Sequence, residues 1–301
     1  MPKPPAVFMT TISAAPSNPL DPAKAETLQR LCSAMDGIPM VLIGAFARDL
    51  IYGHAHGMAL PKATFDIDIS IGVASWTEYQ QACDALTKRK FETEDPDHPE
   101  KFIDANGQEV DLLPFGGLAE DGKTIYWPVD GSPWTISGIQ EACDHAWRFL
   151  GGDYELQVAP PCALIYLKLF AAYDRPNERK NKDTLDIHFL LKHYGDVTGK
   201  VRLLSDGSDA DVMPKTGGDL LHAAAWLAGR DMGHILTPTS ADGLAAILRM
   251  EADGRSRCLV AHAMASHCGG EFRKARALLQ ALRDGFEEAR KEGGRRMGFP
   301  S

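Results

Sequence analysis

Asp66 and Asp68 stand two apart in the apolar run TFDIDISI, residues 64–71, with only Ile67 between them. In an extended chain, side chains two apart share a face, so a strand over residues 64–71 projects both carboxylates side by side. A third acid, Asp111, follows in EVDLLPF, on the far arm of an expected hairpin. Carboxylates this close repel one another unless a cation lies between them, and magnesium is the usual occupant of a site built only from oxygens. Two such ions about 4 Å apart activate an attacking oxygen and stabilise a leaving oxygen in phosphoryl or nucleotidyl transfer. Gly44 supplies a complementary part. A glycine between a strand and a helix lets the backbone approach a ligand, and the N–H groups at the helix start favour phosphate. Each piece alone is weak, since a DxD in a strand is common by chance and a strand–Gly–helix junction is usually a tight turn. Order and spacing together carry the reading.

The elements that must hold these residues follow from the same chain. Met40–Ile43 has the length and composition of a buried strand, and a helix is expected from Gly44 through Ile51, with Phe46, Ala47, Leu50 and Ile51 at helical spacing. Residues 53–63, with Gly53, Gly57 and Pro61, are expected as a loop. Upstream, Asp21 as N-cap and Pro22 at the first helical position predict a helix to about Ala34, and the proline-rich residues 1–20 predict a flexible tail. Residues 77–90 read as an amphipathic helix. Asn106 and Gly107 suit a two-residue type I′ turn, which puts Asp111 on a strand ending near Pro114. Residues 116–138 read as loop or short strands, and helices are expected over about 139–149, 162–173 and 182–194. Residues 201–218, rich in Asp, Gly and Ser, look like a linker before a helical region at 219–301. The expected class is α+β, a mixed sheet with flanking helices in residues 21–200 and a mostly helical C-terminal region.

Composition narrows the function. The 301 residues are 44% apolar, enough for real cores, and carry a net charge of −9. Such a balance argues against coating nucleic acid by bulk electrostatics. The six cysteines form no CxxC pair and are expected as reduced thiols. Cys258, His262, His267 and Cys268 are weighed as a zinc site and set below a core thiol with surface imidazoles, because His267 and Cys268 are adjacent and do not share a helical face. No apolar run approaches 18 residues and the first 20 lack a secretory h-region, so a soluble, cytoplasmic protein without a membrane partner is expected.

GAFARDLIYG, then TFDIDISI, then EVDLLPF resembles the polymerase-β nucleotidyltransferase superfamily, whose signature is a Gly-Gly or Gly-Ser turn, a DxD or DxE strand and a third Asp on a later strand. The resemblance implies a nucleotidyltransferase-fold sheet, Gly44 and Ala45 in the paired small-residue position that cradles a triphosphate, and Asp66, Asp68 and Asp111 as ligands of two Mg²⁺ ions. Ala45 departs from the usual Gly or Ser. Gly44 to Gly53, with Arg48 and Asp49, is also similar to the GGxVRDxLxG signature of tRNA nucleotidyltransferases and bacterial poly(A) polymerases. The gap to Asp66 is longer than those enzymes show, and no EDxxR-like segment is found. LKLFAAYDRPNERKNKDTLDIHFLLKHY, residues 167–194, resembles the closing motif of AbiEii/AbiGii-type toxin nucleotidyltransferases. That implies Lys168 as the helix lysine, with Lys182, Asp183 and Asp186 in the second part.

Plain alternatives stand beside these roles. Lys168 in its apolar helix is otherwise a snorkelling cation, and Asp183 with Asp186 has capping-box spacing. Arg175, Arg179 and Lys180, in the loop expected between the two helices, are either phosphate or RNA contacts or ordinary surface charges. The function expected is transfer of a nucleoside monophosphate from an NTP to a hydroxyl. Asp66, Asp68, Asp111, Lys168 and Asp183 would be the catalytic set, RNA or a tRNA 3′ end the acceptor, and a cognate antitoxin a partner in a toxin-like role. The rivals are a non-catalytic nucleotide-binding or protein-interaction module on the same fold, and a small-molecule nucleotidyltransferase.

Overall fold

The computed structural model describes residues 10–62, 64–95, 98–174, 177–253 and 258–296. The chain divides into two compact units, residues 1–160 and 161–301. The first is α+β and the second is helical among its described residues.

In the first unit the order is β1 (Thr11–Ser13), α1 (Pro22–Ala34), β2 (Met40–Ile43), α2 (Gly44–Arg48), a π-helix (Asp49–Ala55), β3 (Ile67–Val73), α3 (Trp76–Lys88), β4 (Phe91–Asp95), β5 (His98–Asp104) and β6 (Glu109–Gly116). The short hairpin β7 (Thr124–Tyr126) and β8 (Pro133–Thr135) follows, then α4 (Ile139–Asp144), β9 (Trp147–Leu150) and β10 (Glu155–Val158). Eight strands form one mixed sheet in the order β1-β9-β10-β2-β3-β6-β5-β4. The centre is built by aliphatic residues: Ile67, Ile69 and Ile71 of β3 and Val110 and Leu112 of β6 are fully buried. Each such side chain contributes roughly 2 kcal/mol of hydrophobic stabilisation. The alternate positions Asp68 and Asp111 face the other way and are half-buried.

The second unit comprises α5 (Pro161–Asp174), α6 (Asn177–Lys192), α7 (Tyr194–Thr198), a 3-10 turn (Lys200–Leu203), α8 (Val212–Lys215), α9 (Leu220–Ile235), α10 (Pro238–Asp253), α11 (Leu259–Ala265) and α12 (Phe272–Arg296). The long helices α9 and α12 press backbone to backbone, because a Cβ at Gly229 would overlap the main-chain carbonyl of Leu282 and one at Gly285 that of Trp226. Among the described residues no helix is long and apolar enough to cross a membrane.

Several expectations are corrected. Residues 11–13 are a strand paired in parallel with β9, rather than part of a loose tail. The helix expected over 139–149 stops at Asp144, and Trp147 and Phe149 then alternate with exposed neighbours as β9, a period of two. The β5–β6 connection is a four-residue loop, not a two-residue type I′ turn. The Asp104 carboxylate accepts from the N–H of Asn106 (2.8 Å) and Gln108 (2.9 Å), and only Gly107 takes a positive φ. The stretch expected as a linker is folded: Arg202 pairs with Asp209 and Asp231, and Arg230 with Asp209 and Asp211, at 2.7–2.9 Å. Arg179 and Lys180 lie on α6 rather than in a loop, and Arg175 lies outside the described residues.

Candidate active site

Antiparallel pairing sets Ile43 of β2 opposite Asp68 of β3, and parallel pairing sets Asp68 opposite Asp111 of β6. Antiparallel pairing then sets Asp111 opposite Lys101 of β5. Directly opposed residues point to one face, so Asp68, Asp111 and Lys101 form a row across three strands. Gly44 begins where that row meets the end of β2. With φ +72°, a value that suits glycine, it leaves no room for a side chain: a Cβ there would stand 2.6 Å from Cγ of Asp68. Gly44 is therefore required by the approach of the Asp68 carboxylate, which fills the space beside the turn. Ala45 is buried immediately behind it.

Asp66 is placed differently from the sequence expectation. Ladder pairing of β3 begins at Ile67, so Asp66 precedes the strand and is not held by the period-two geometry. Its Oδ1 instead accepts a hydrogen bond from the Thr64 hydroxyl at 2.6 Å. It remains close enough to act on Asp111, whose carboxyl is pushed up to about 6, first by burial, then by Asp68, with Lys101 opposing and Asp66 and Glu100 adding to the rise. The cluster thus carries excess negative charge, the condition under which a cation is drawn in. Among the described residues no group of three or more His, Cys, Asp or Glu side chains is arranged to hold a metal ion as it stands. An all-oxygen pair still suits Mg²⁺, which takes one or two protein carboxylates and completes its shell with water and substrate phosphate.

The helix after Gly44 is also not as expected. Five α-helical residues give way to a π-helix reaching Ala55, so the loop is shorter than residues 53–63. Arg48 and Asp49 lie at that junction, both buried, with Arg48 Nε donating to Asp49 Oδ1 at 2.7 Å. His54 and His56 bond to backbone carbonyls of Asn18 and Ile51 at 3.0 and 2.8 Å.

The remaining candidates form a separate cluster within the second unit. Lys168 of α5 places its ammonium 3.1 Å from Asp183 Oδ1 and 2.9 Å from Asp186 Oδ2, both on α6 and both buried. Snorkelling is thereby excluded for Lys168. So is the capping box, because α6 begins at Asn177 and both acids lie well inside it. At the zinc candidates, the buried Cys258 thiol donates to the Met250 carbonyl at 3.5 Å and His262 stacks on Phe272 at 4.2 Å.

Three residues near the carboxylates escaped the sequence reading: Lys101, Thr64 and Lys24. Lys101 had a signal, since it and Asp111 are equidistant from Asn106 and a hairpin centred there pairs them. Lys24 of α1 donates to the Thr64 carbonyl at 2.9 Å across forty residues, a contact no local pattern announces. Compared with known proteins, the chain matches no family model, and no curated protein matches it.

Proposed function

We propose that the first unit is a metal-dependent nucleotidyltransferase domain, moving a nucleoside monophosphate from an NTP to a hydroxyl acceptor. The observation that carries this reading is the register of Asp68 with Asp111 beside the Gly44 turn, where burial first and then the neighbouring Asp68 carboxylate lift Asp111 to about 6. Asp68 and Asp111, with Asp66 at the strand entrance, would hold Mg²⁺ together with triphosphate oxygens. When bound, the metal neutralises charge on the phosphates and on the leaving pyrophosphate. The acceptor oxygen bonds to the α-phosphorus, the bond to pyrophosphate breaks with its electron pair, and the hydroxyl proton is released. Positioning and electrostatics carry most of such catalysis, so no protein nucleophile is needed. Gly44 and Ala45 would lie against the phosphates. Lys168, the lysine that the resemblance assigns to the triphosphate, already serves Asp183 and Asp186, so a phosphate there would compete with two carboxylates. RNA or tRNA as acceptor, and a cognate antitoxin as partner, rest on the resemblance to AbiEii/AbiGii-type proteins alone.

A second reading is a non-catalytic nucleotide-binding or interaction module. One observation favours it: the Asp68 carboxylate fills the space beside Gly44. Incubating the full chain with Mg²⁺, each labelled NTP and total RNA separates the two. Label transfer that disappears in Asp68→Asn and Asp111→Asn supports the enzyme. Tight NTP binding without transfer, indifferent to metal, supports the module, and transfer only to a panel of small hydroxyl acceptors supports a small-molecule enzyme.

A further inference from the structure

Asp66 lies outside the β3 ladder, yet the backbone leading to it is held at four points by side chains from three other parts of the unit. Arg48 donates through Nη2 to the Lys62 carbonyl at 2.8 Å. Asp49 Oδ2 accepts from the Thr64 N–H at 3.3 Å, and Lys24 donates to the Thr64 carbonyl at 2.9 Å. The Gln108 amide, from the β5–β6 loop, donates to the Phe65 carbonyl. These bonds leave the Thr64 hydroxyl directed at Asp66 Oδ1. Arg48 and Asp49 are nearly fully buried, and a buried ion pair with its remaining hydrogen-bonding groups engaged is a rigid device for fixing geometry.

We propose that Lys24, Arg48, Asp49 and Gln108 form a latch on Lys62, Thr64 and Phe65 and that Thr64, held by it, is a positioning residue that aims the Asp66 carboxylate for divalent-metal binding on the Asp68–Asp111 face. The inference rests on the metal reading above and deepens it. It accounts for the Arg48–Asp49 pair, which the transfer chemistry does not use. It also explains how a carboxylate without ladder partners keeps one orientation: its hydroxyl partner plays the role of an outer-shell group to a metal ligand, and removing such partners typically weakens metal binding 10- to 100-fold.

The test is Mn²⁺ titration of the full chain, followed by calorimetry and by the Mn²⁺ electron-paramagnetic signal, with no nucleotide present. Thr64→Val keeps the shape and removes the donor, while Thr64→Ser keeps the donor. The latch predicts about tenfold weaker Mn²⁺ binding in Thr64→Val, recovery to within about threefold in Thr64→Ser, and an unchanged unfolding midpoint for both without metal. Asp49→Asn, which keeps the side-chain volume, is expected to weaken Mn²⁺ in the same direction. Wild-type affinity in Thr64→Val, while Asp68→Asn abolishes binding, would overturn the latch and leave the metal reading standing. Mn²⁺ binding that is absent in wild type, or indifferent to Asp68→Asn, would overturn both.

Discussion

Asp111→Asn is expected to make the metal-free protein more stable and to remove its response to divalent ions. The folded protein lifts this carboxyl from the ordinary 3.8 to about 6, chiefly through burial and then through Asp68. Each unit of such a shift corresponds to about 1.4 kcal/mol, giving a ceiling near ~3 kcal/mol. The group is only half-buried, and solvent screening reduces the figure to roughly 1–2 kcal/mol. The sign follows from proton uptake. Between pH 4 and 6 the folded state holds a proton that the unfolded state has lost, so this group's contribution to stability falls as pH rises through that window. Above about 6 the full penalty is present. An amide removes it, and the melting midpoint at pH 7.5 should rise by roughly 2–6 °C. Wild type should gain a comparable rise on adding Mn²⁺ at pH 7.5 and little at pH 5, where protons compete for the same oxygens. Asp111→Asn should gain none at either pH. Scanning calorimetry with and without Mn²⁺ decides it: a lowered midpoint in Asp111→Asn, or a retained Mn²⁺ shift, refutes the electrostatic reasoning.

Other substitutions probe the rest of the arrangement. Gly44→Ala combines a disfavoured φ with a methyl driven into the Asp68 carboxylate, and urea unfolding should show a loss of at least about 1 kcal/mol together with weakened Mn²⁺ binding. Lys101→Met removes the cation that opposes the rise at Asp111, so the acid limb of Mn²⁺ binding, measured from pH 5.5 to 7.5, should move to higher pH; an unmoved limb would remove Lys101 from the site's electrostatics. Lys168→Met leaves Asp183 and Asp186 buried without their cation, and urea unfolding should register a loss of about 3–5 kcal/mol. Adding Asp183→Asn and Asp186→Asn should recover part of that loss, and no recovery would assign it to packing instead.

What could be read from the chain beforehand follows the length of the apolar runs. Strand β2 matches its expected bounds because a continuous apolar run announces a buried strand, and β3 and β6 emerge with Asp68 and Asp111 on neighbouring strands because buried Ile, Val and Leu recur there at every second residue. The three- and four-residue strands β1, β9 and β10 have too few alternations to stand out from loop or helix. The sequence points to a strand at Asp66 because the acid sits in an apolar segment that runs from Thr64 to Ile71. The backbone groups of Thr64 and Phe65 instead bond to Asp49, Lys24 and Gln108, partners supplied by distant segments. The π-helix was likewise hidden, since Phe46, Ala47, Leu50 and Ile51 satisfy an α-helical period up to the point where the winding changes.

The row of Asp68, Asp111 and Lys101 also has a parity. Each member comes from a different strand, and side chains along a strand change face at every step. A slip of β5 by one residue against β6 would set Glu100 or Phe102 opposite Asp111 and turn the buried side of β5, Phe102 included, toward the other face. A slip by two restores the faces but sets Pro99 or Ile103 opposite Asp111, so only the observed register combines a buried Phe102 with a lysine in the row.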